Sequence, residues 1–206
     1  MKNQIKSLLN LHGINWDRTL GSRWTKRYMQ WLDDLEFDQD NLRYTLEQYL
    51  DEYRFIQAQV DRVTDRLKEL SMHSAYKSNY NRITACKGVG FITAMTYLLE
   101  LGEVLRFSSA AKFVAYLGMT PSQHSSGEHV RLGHITREGN SHIRKVLVES
   151  AWTVIRYDPL LRDKYNRIVA KGTNGKKAIV AVARSLAIRL RRCIIDEVVY
   201  DMSICK

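Results

Sequence analysis

Nine apolar residues between Leu42 and Leu70 recur at alternating steps of four and three: Leu42, Leu46, Tyr49, Tyr53, Ile56, Val60, Val63, Leu67 and Leu70. Only an α-helix lays such a spacing along one face, and here it runs for about four heptads. A helix over residues 41–71 would be about 45 Å long. Its stripe has to be covered, either by the preceding segment folded back as a helical hairpin or by a second chain, and the spacing leaves both open. The rest of this helix is acidic. From Asp33 to Glu69 there are 11 acidic and 5 basic residues. The remaining residues hold 27 basic and 11 acidic side chains, so the formal charge of +10 lies outside the rod. A segregated positive field raises encounter rates with polyanions and points to a nucleic-acid partner.

The segments around the rod also read as helices, in keeping with a content of only 2 prolines in 206 residues. Residues 3–12 form a short amphipathic stretch stopped by Gly13. Ser22 is a candidate cap for a helix carrying Trp24, Tyr28, Trp31 and Leu35, and Asp40 or Asn41 can cap the rod. From Ile83 onward, an apolar helix end, a tight Gly88-Val89-Gly90 turn and a second apolar helix follow in RITACKGVGFITAMTYLLELG. Gly88 and Gly90 suit positive φ or a close backbone approach. Ser108 or Ser109 caps a helix through Tyr116, Asn140 opens one to about Tyr157, and Asp158-Pro159 starts another. A last helix over about 177–195 buries Ile179, Val182, Ala183, Leu186 and Leu190 and presents Arg184, Arg189, Arg191 and Arg192. The expected fold is mainly α: a helical, coiled-coil-like region over 1–74, then a compact helical domain over 75–206 with a loop or small β-hairpin over 122–135.

The three cysteines form no metal-binding or C-x-x-C spacing, which fits a reducing compartment. No apolar run is long enough to span a bilayer, and the first residues lack a signal-peptide h-region. A cytoplasmic protein without membrane contact is the expectation.

Three constellations could carry chemistry. The glycine turn, with Lys87, Gly88 and Gly90, has the shape of a helix-hairpin-helix that offers backbone N–H groups to phosphate. The loop after Gly118 carries adjacent hydroxyls, Ser125 and Ser126, before Gly127. Arg131, His134, Arg137, Asn140, Arg144 and Lys145 follow within twenty residues. A serine attacks a phosphodiester only when its proton is taken and cations or donors meet the non-bridging oxygens. Neither a Ser-His-Asp order nor a G-x-S-x-G elbow is present. The third is the basic C-terminal set: Lys171, Lys176, Lys177, Arg184, Arg189, Arg191 and Arg192, any of which could contact backbone phosphates.

From Ile83 to Leu190 these blocks stand in a familiar order: the GVG turn, RFSSAAKFVAYLGMTP, SSG, G-x-I-T-R-x-G-N and I-R-K-V-L. This stretch resembles the C-terminal transposase domain of the insertion-sequence "one-ten" family, which includes Piv-type invertases and bridge-RNA-guided recombinases. The resemblance implies a DNA recombinase in which a serine of this loop becomes transiently linked to a DNA 5′-phosphate. Ser126, directly before the glycine, holds the family's nucleophile position, with Ser125 the neighbouring alternative. It also implies DNA and a guide (bridge) RNA as partners, and a homo-oligomer formed through the coiled coil. The family's RuvC-like domain carries four acidic ligands for Mg²⁺, and nothing before Asp33 fits it, Asp17 being the sole acid there. No metal is expected in this chain, which is expected to bind nucleic acid without exchanging strands by itself. A helix-hairpin-helix module with no chemistry of its own is the competing reading of the residues.

Overall fold

The computed structural model describes residues 1–126 and 129–203, with the backbone alone for residues 18, 123–126 and 129–132. Among these residues the fold is mainly α, with one two-stranded antiparallel sheet. It divides into two compact units, Met1–Arg66 and Leu67–Lys206.

In the first unit, α1 (Lys2–Leu11) and α2 (Lys26–Asp33) pack on the start of α3 (Asp40–Met72). The long helix forms as the heptad spacing requires. The shared core is Ile5, Leu9, Trp16, Tyr28, Leu32, Leu46 and Leu50. Arg43 reaches back to the carbonyls of Asp33 (3.0 Å) and Leu35 (2.9 Å), which satisfies acceptors left open at the end of α2. Two details differ from the sequence reading. Thr25, not Ser22, caps α2, its hydroxyl accepting from Tyr28 N at 3.2 Å. Trp24 takes φ +68° just ahead of that cap and stacks on Tyr28 and Tyr53. The tryptophan therefore precedes the helix it was expected to line.

The covering of the heptad seam is divided. Leu46 is buried and Tyr49 and Tyr53 are partly so, within the unit's own core, with Leu50 buried beside the seam. Farther along, Ile56, Val60 and Val63 are 44%, 52% and 58% exposed.

The second unit is built around α9 (Gly175–Ile195), which packs against α4 (Ser74–Thr84), α6 (Ala110–Tyr116), α7 (Ser141–Tyr157) and α8 (Pro159–Val169). Helix α5 (Phe91–Leu101) packs on α4 and α7. Ile179, Val182, Ala183, Leu186 and Leu190 are buried, as their spacing predicts. Each fully buried aliphatic side chain stabilises by about 1.5–3 kcal/mol relative to exposure. Side-chain caps fall where the sequence placed them: Ser109 on α6, Asn140 on α7 and Asp158 on α8. Asn174 caps α9, so the helix starts at Gly175, two residues ahead of the expected start, and includes Lys176.

Arg189 departs from expectation. It is buried rather than surface-facing, and its guanidinium donates to Asp158 Oδ2 at 2.6 Å. Tyr200, in the segment after α9, donates to the same oxygen at 2.8 Å, while Asp158 Oδ1 accepts Leu161 N at 3.0 Å. An arginine in an amphipathic pattern reads as surface because the acid that pairs with it is 31 residues away. Cys86 lies beside this cluster, and burial above all pushes its thiol up to about 12, which leaves it inert at neutral pH.

Candidate nucleic-acid interface

The hairpin is made of β1 (Pro121–Ser126) and β2 (His129–Ile135), inserted between α6 and α7. Ser126 pairs with His129, Ser125 with Val130 and His124 with Arg131, and a bulge falls between Pro121 and Gln123. Gly127 and the side chains of Ser125, Ser126 and Arg131 lie outside the described residues.

The feet of the hairpin are clamped to the end of α6. Thr136 N donates to Thr120 O (2.9 Å), Arg137 N to Gly118 O (3.2 Å) and Asn140 N to Tyr116 O (2.9 Å). This approach requires glycine at residues 118 and 139. Both have positive φ, and a Cβ on Gly139 would stand 2.1 Å from the Tyr116 carbonyl oxygen.

Beside the hairpin base is a cavity of about 500 Å³ lined by Gly133, His134, Ile135, Arg137, Lys176, Lys177 and Val180. It joins the returning strand to the first two turns of α9. The four polar side chains are all basic types and exposed, and among the described residues the lining has no acid. Lys176 and Lys177 sit at the positive end of a helix dipole, where cations are unfavourable for the helix itself. Positive charge accumulated against a helix N-terminus suits a phosphate. The sequence supplied these cations separately. Their meeting with Val180 depends on packing between residues some forty positions apart.

Of the other residues assigned to binding from the sequence, Asn140 and Arg144 are engaged within the domain. Asn140 caps α7 through Ile143 N (2.9 Å) and donates to Glu100 Oε2 (2.8 Å). Arg144 is half-buried and donates to Leu117 O at 2.9 Å, bracing the end of α6. Lys145 and Lys171 are exposed, and Arg184 is half-buried on α9. Lys87 is exposed with its ammonium 5.5 Å from the Tyr157 ring centre.

The glycine turn joins α4 to α5, but the two glycines differ. Gly88 has φ +112°, and a Cβ there would meet Val154 Cγ2 at 2.8 Å and Val154 N at 3.0 Å. The close approach it permits is therefore to α7. Gly90 has φ −82°, caps α5 and has open space around it, so the positive φ allowed for it is not used. Gly88→Ala is expected to destabilise by roughly 1–3 kcal/mol, and Gly90→Ala by under about 1 kcal/mol. Chemical denaturation of the two variants tests that order, and equal losses would contradict it.

Among the described residues, no three His, Cys, Asp or Glu side chains gather so as to hold a metal ion. Nor is any helix long and apolar enough to cross a membrane.

Residues 80–166, from α4 through the glycine turn and hairpin into α8, match the family model described as "Transposase IS116/IS110/IS902 family". The chain is 28% identical over 213 residues to a Sinorhizobium fredii protein named as a transposase, y4qE, covering 90% of this chain and 50% of that one. It is 32% identical over 102 residues to a 43.6 kDa protein of insertion element IS110 from Streptomyces coelicolor, covering 50% and 25% respectively. It is 28% identical over 130 residues to the transposase for insertion sequence element IS1111A of Coxiella burnetii, covering 61% and 35%. The chain thus spans half or less of the length of these curated relatives. With the hairpin inside the matched region, the chain carries, in residues 80–166, a transposase domain of the IS116/IS110/IS902 family.

Proposed function

We propose that this chain acts on DNA as part of a recombinase, with the hairpin serine as the nucleophile. Ser126 is the reacting residue, and Ser125 is the alternative. The serine oxygen bonds to phosphorus, the bond from phosphorus to the 3′ oxygen breaks, and the serine proton passes to the departing 3′-hydroxyl strand. The DNA is then held through its 5′-phosphate on the serine, and reversal onto a new 3′-hydroxyl completes exchange. His134, Arg137, Lys176 and Lys177 hold the strand beside the hairpin by its phosphates. The exposed Lys87, Lys145 and Lys171 add further phosphate contacts. A guide RNA selects the DNA, and Mg²⁺ belongs to a RuvC-like domain working with this chain.

The observation that carries this reading is the basic cavity at the foot of a clamped hairpin, the hairpin lying inside the region that matches a transposase family and Lys176 and Lys177 joining it from α9. The test combines the chain with a RuvC-like domain, guide RNA and an end-labelled DNA site. A protein–DNA adduct that survives denaturation, with nucleotide mass on the peptide containing residues 125–126, is the expected result. No adduct with binding intact would leave a nucleic-acid-binding module without chemistry.

The same reading includes self-association through α3. Its exposed stretch, Ile56, Val60 and Val63, continues a heptad seam whose first half is already covered. Val60→Glu is expected to convert a dimer to a monomer in sedimentation experiments without altering the melting of the first unit. A wild-type chain that sediments as a monomer at every concentration would end that part of the proposal.

A further inference from the structure

A second group of cations lies between α8 and α9, away from the hairpin. Lys164 Nζ donates to Ser185 Oγ, and Ser185 Oγ donates to Ala181 O at 3.3 Å. Lys164, Arg167 and Arg189 line a cavity of about 370 Å³ with Ser185, Leu160, Leu161 and Ile188. Among the described residues that lining holds three cations and no acid. Arg189 is matched behind the cavity by Asp158, at 2.6 Å. Arg184, next to Ser185, adds a further positive charge. Burial, and then Arg184, Arg167 and Arg189, hold the Lys164 ammonium below the usual lysine range. Lys164 and Arg184 are half-buried and Arg167 is exposed at the rim, so solvent screens their repulsion only in part and their convergence is unfavourable until an anion joins it.

We infer that Lys164 and Arg167 seat a backbone phosphate of a bound nucleic-acid strand in this cavity, with Arg184 adding positive charge beside it. Ser185 is a positioning residue. It accepts one of the three ammonium N–H groups and leaves two for phosphate oxygens. The placement along α9 favours a polynucleotide. Residues 176–180 line the hairpin cavity and residues 185–189 line this one. Their centres are about 13 Å apart at 1.5 Å per residue, roughly the rise of four nucleotides along one strand of a duplex. One strand can therefore occupy both cavities. The inference rests on the proposed function only for the identity of the polyanion; the phosphate chemistry stands without it.

The test compares wild type with Lys164→Met and Lys164→Arg on a 20-base-pair duplex of arbitrary sequence, by fluorescence anisotropy between 50 and 200 mM salt. Lys164→Met is expected to weaken binding about fivefold and lower the slope of log affinity on log salt by about one. Its thermal midpoint at low salt should rise by about 2–4 °C as the repulsion is relieved. Lys164→Arg should keep the wild-type slope. An unchanged slope in Lys164→Met, with duplex binding intact, overturns the site and leaves the recombinase reading untouched. A fall in its midpoint makes Lys164 a structural hydrogen-bond donor and also overturns the site.

A second arm follows acylation of Lys164 at pH 8 by peptide mass spectrometry, with the duplex or with inorganic phosphate present. Protection by the duplex supports the assignment. Protection by millimolar inorganic phosphate alone would make this a site for free phosphate groups and overturn the polynucleotide assignment. If wild type binds no duplex, the recombinase reading fails, and absence of protection by phosphate would then overturn the cavity's role as well.

Discussion

Ser126→Ala is expected to abolish the covalent protein–DNA adduct and strand joining, by at least about 10⁴-fold, while duplex affinity stays within about twofold of wild type. The asymmetry follows from what the side chain does in the proposed reaction. Its oxygen is the atom that bonds to phosphorus, and no neighbouring side chain replaces it. In the same proposal the affinity comes from phosphate contacts made by Arg137, Lys176, Lys177 and their neighbours. Ser125→Ala is the control: it should retain the adduct. Loss with Ser125→Ala alone would move the reaction by one residue. Loss with neither, adduct present, would remove the hairpin serines from the chemistry.

Asp158→Ala is expected to cost about 3–5 kcal/mol, because it leaves the Arg189 guanidinium buried without its carboxylate. One carboxylate here serves three groups: the guanidinium, the Tyr200 hydroxyl and the first turn of α8. The midpoint of thermal unfolding should fall by roughly 6–20 °C. Asp158→Asn with Arg189→Met removes both charges and keeps an N-cap, so that pair should recover most of the loss. If the double variant melts no higher than Asp158→Ala, the charge pairing is not what stabilises this cluster. Calorimetry of the two variants beside wild type decides it.

Much of this fold is written in local patterns. The 4,3 spacing of Leu42 to Leu70 gave α3 almost to the residue, and Ser109, Asn140 and Asp158 announced three helix starts through caps. Local signals failed where two distant segments decide the outcome. Thr25 displaced Ser22 as a cap because Trp24 turns back onto Tyr53. Arg189 turned inward to meet Asp158. The candidate site divides the same way. The basic residues around the hairpin stood out in sequence, but the meeting of His134 and Arg137 with Lys176 and Lys177 is a product of tertiary packing. Asn140 and Arg144 looked like ligands for DNA because a cap and a brace have the same chemistry as a phosphate contact. Lys164 and Ser185, twenty-one residues apart on separate helices, have no sequence signature at all.

The clamp at Gly118 and Gly139 fixes where this domain can be altered. Insertions and deletions between residues 120 and 136 change a ribbon whose ends remain tied by the Thr136–Thr120 and Arg137–Gly118 hydrogen bonds. Changes at the tie itself must disturb the end of α6 and the start of α7 together. The hairpin is thus a transplantable cassette. Exchanging it between relatives, cut between Thr120 and Thr136, would transfer its sequence without rebuilding the helices that hold it.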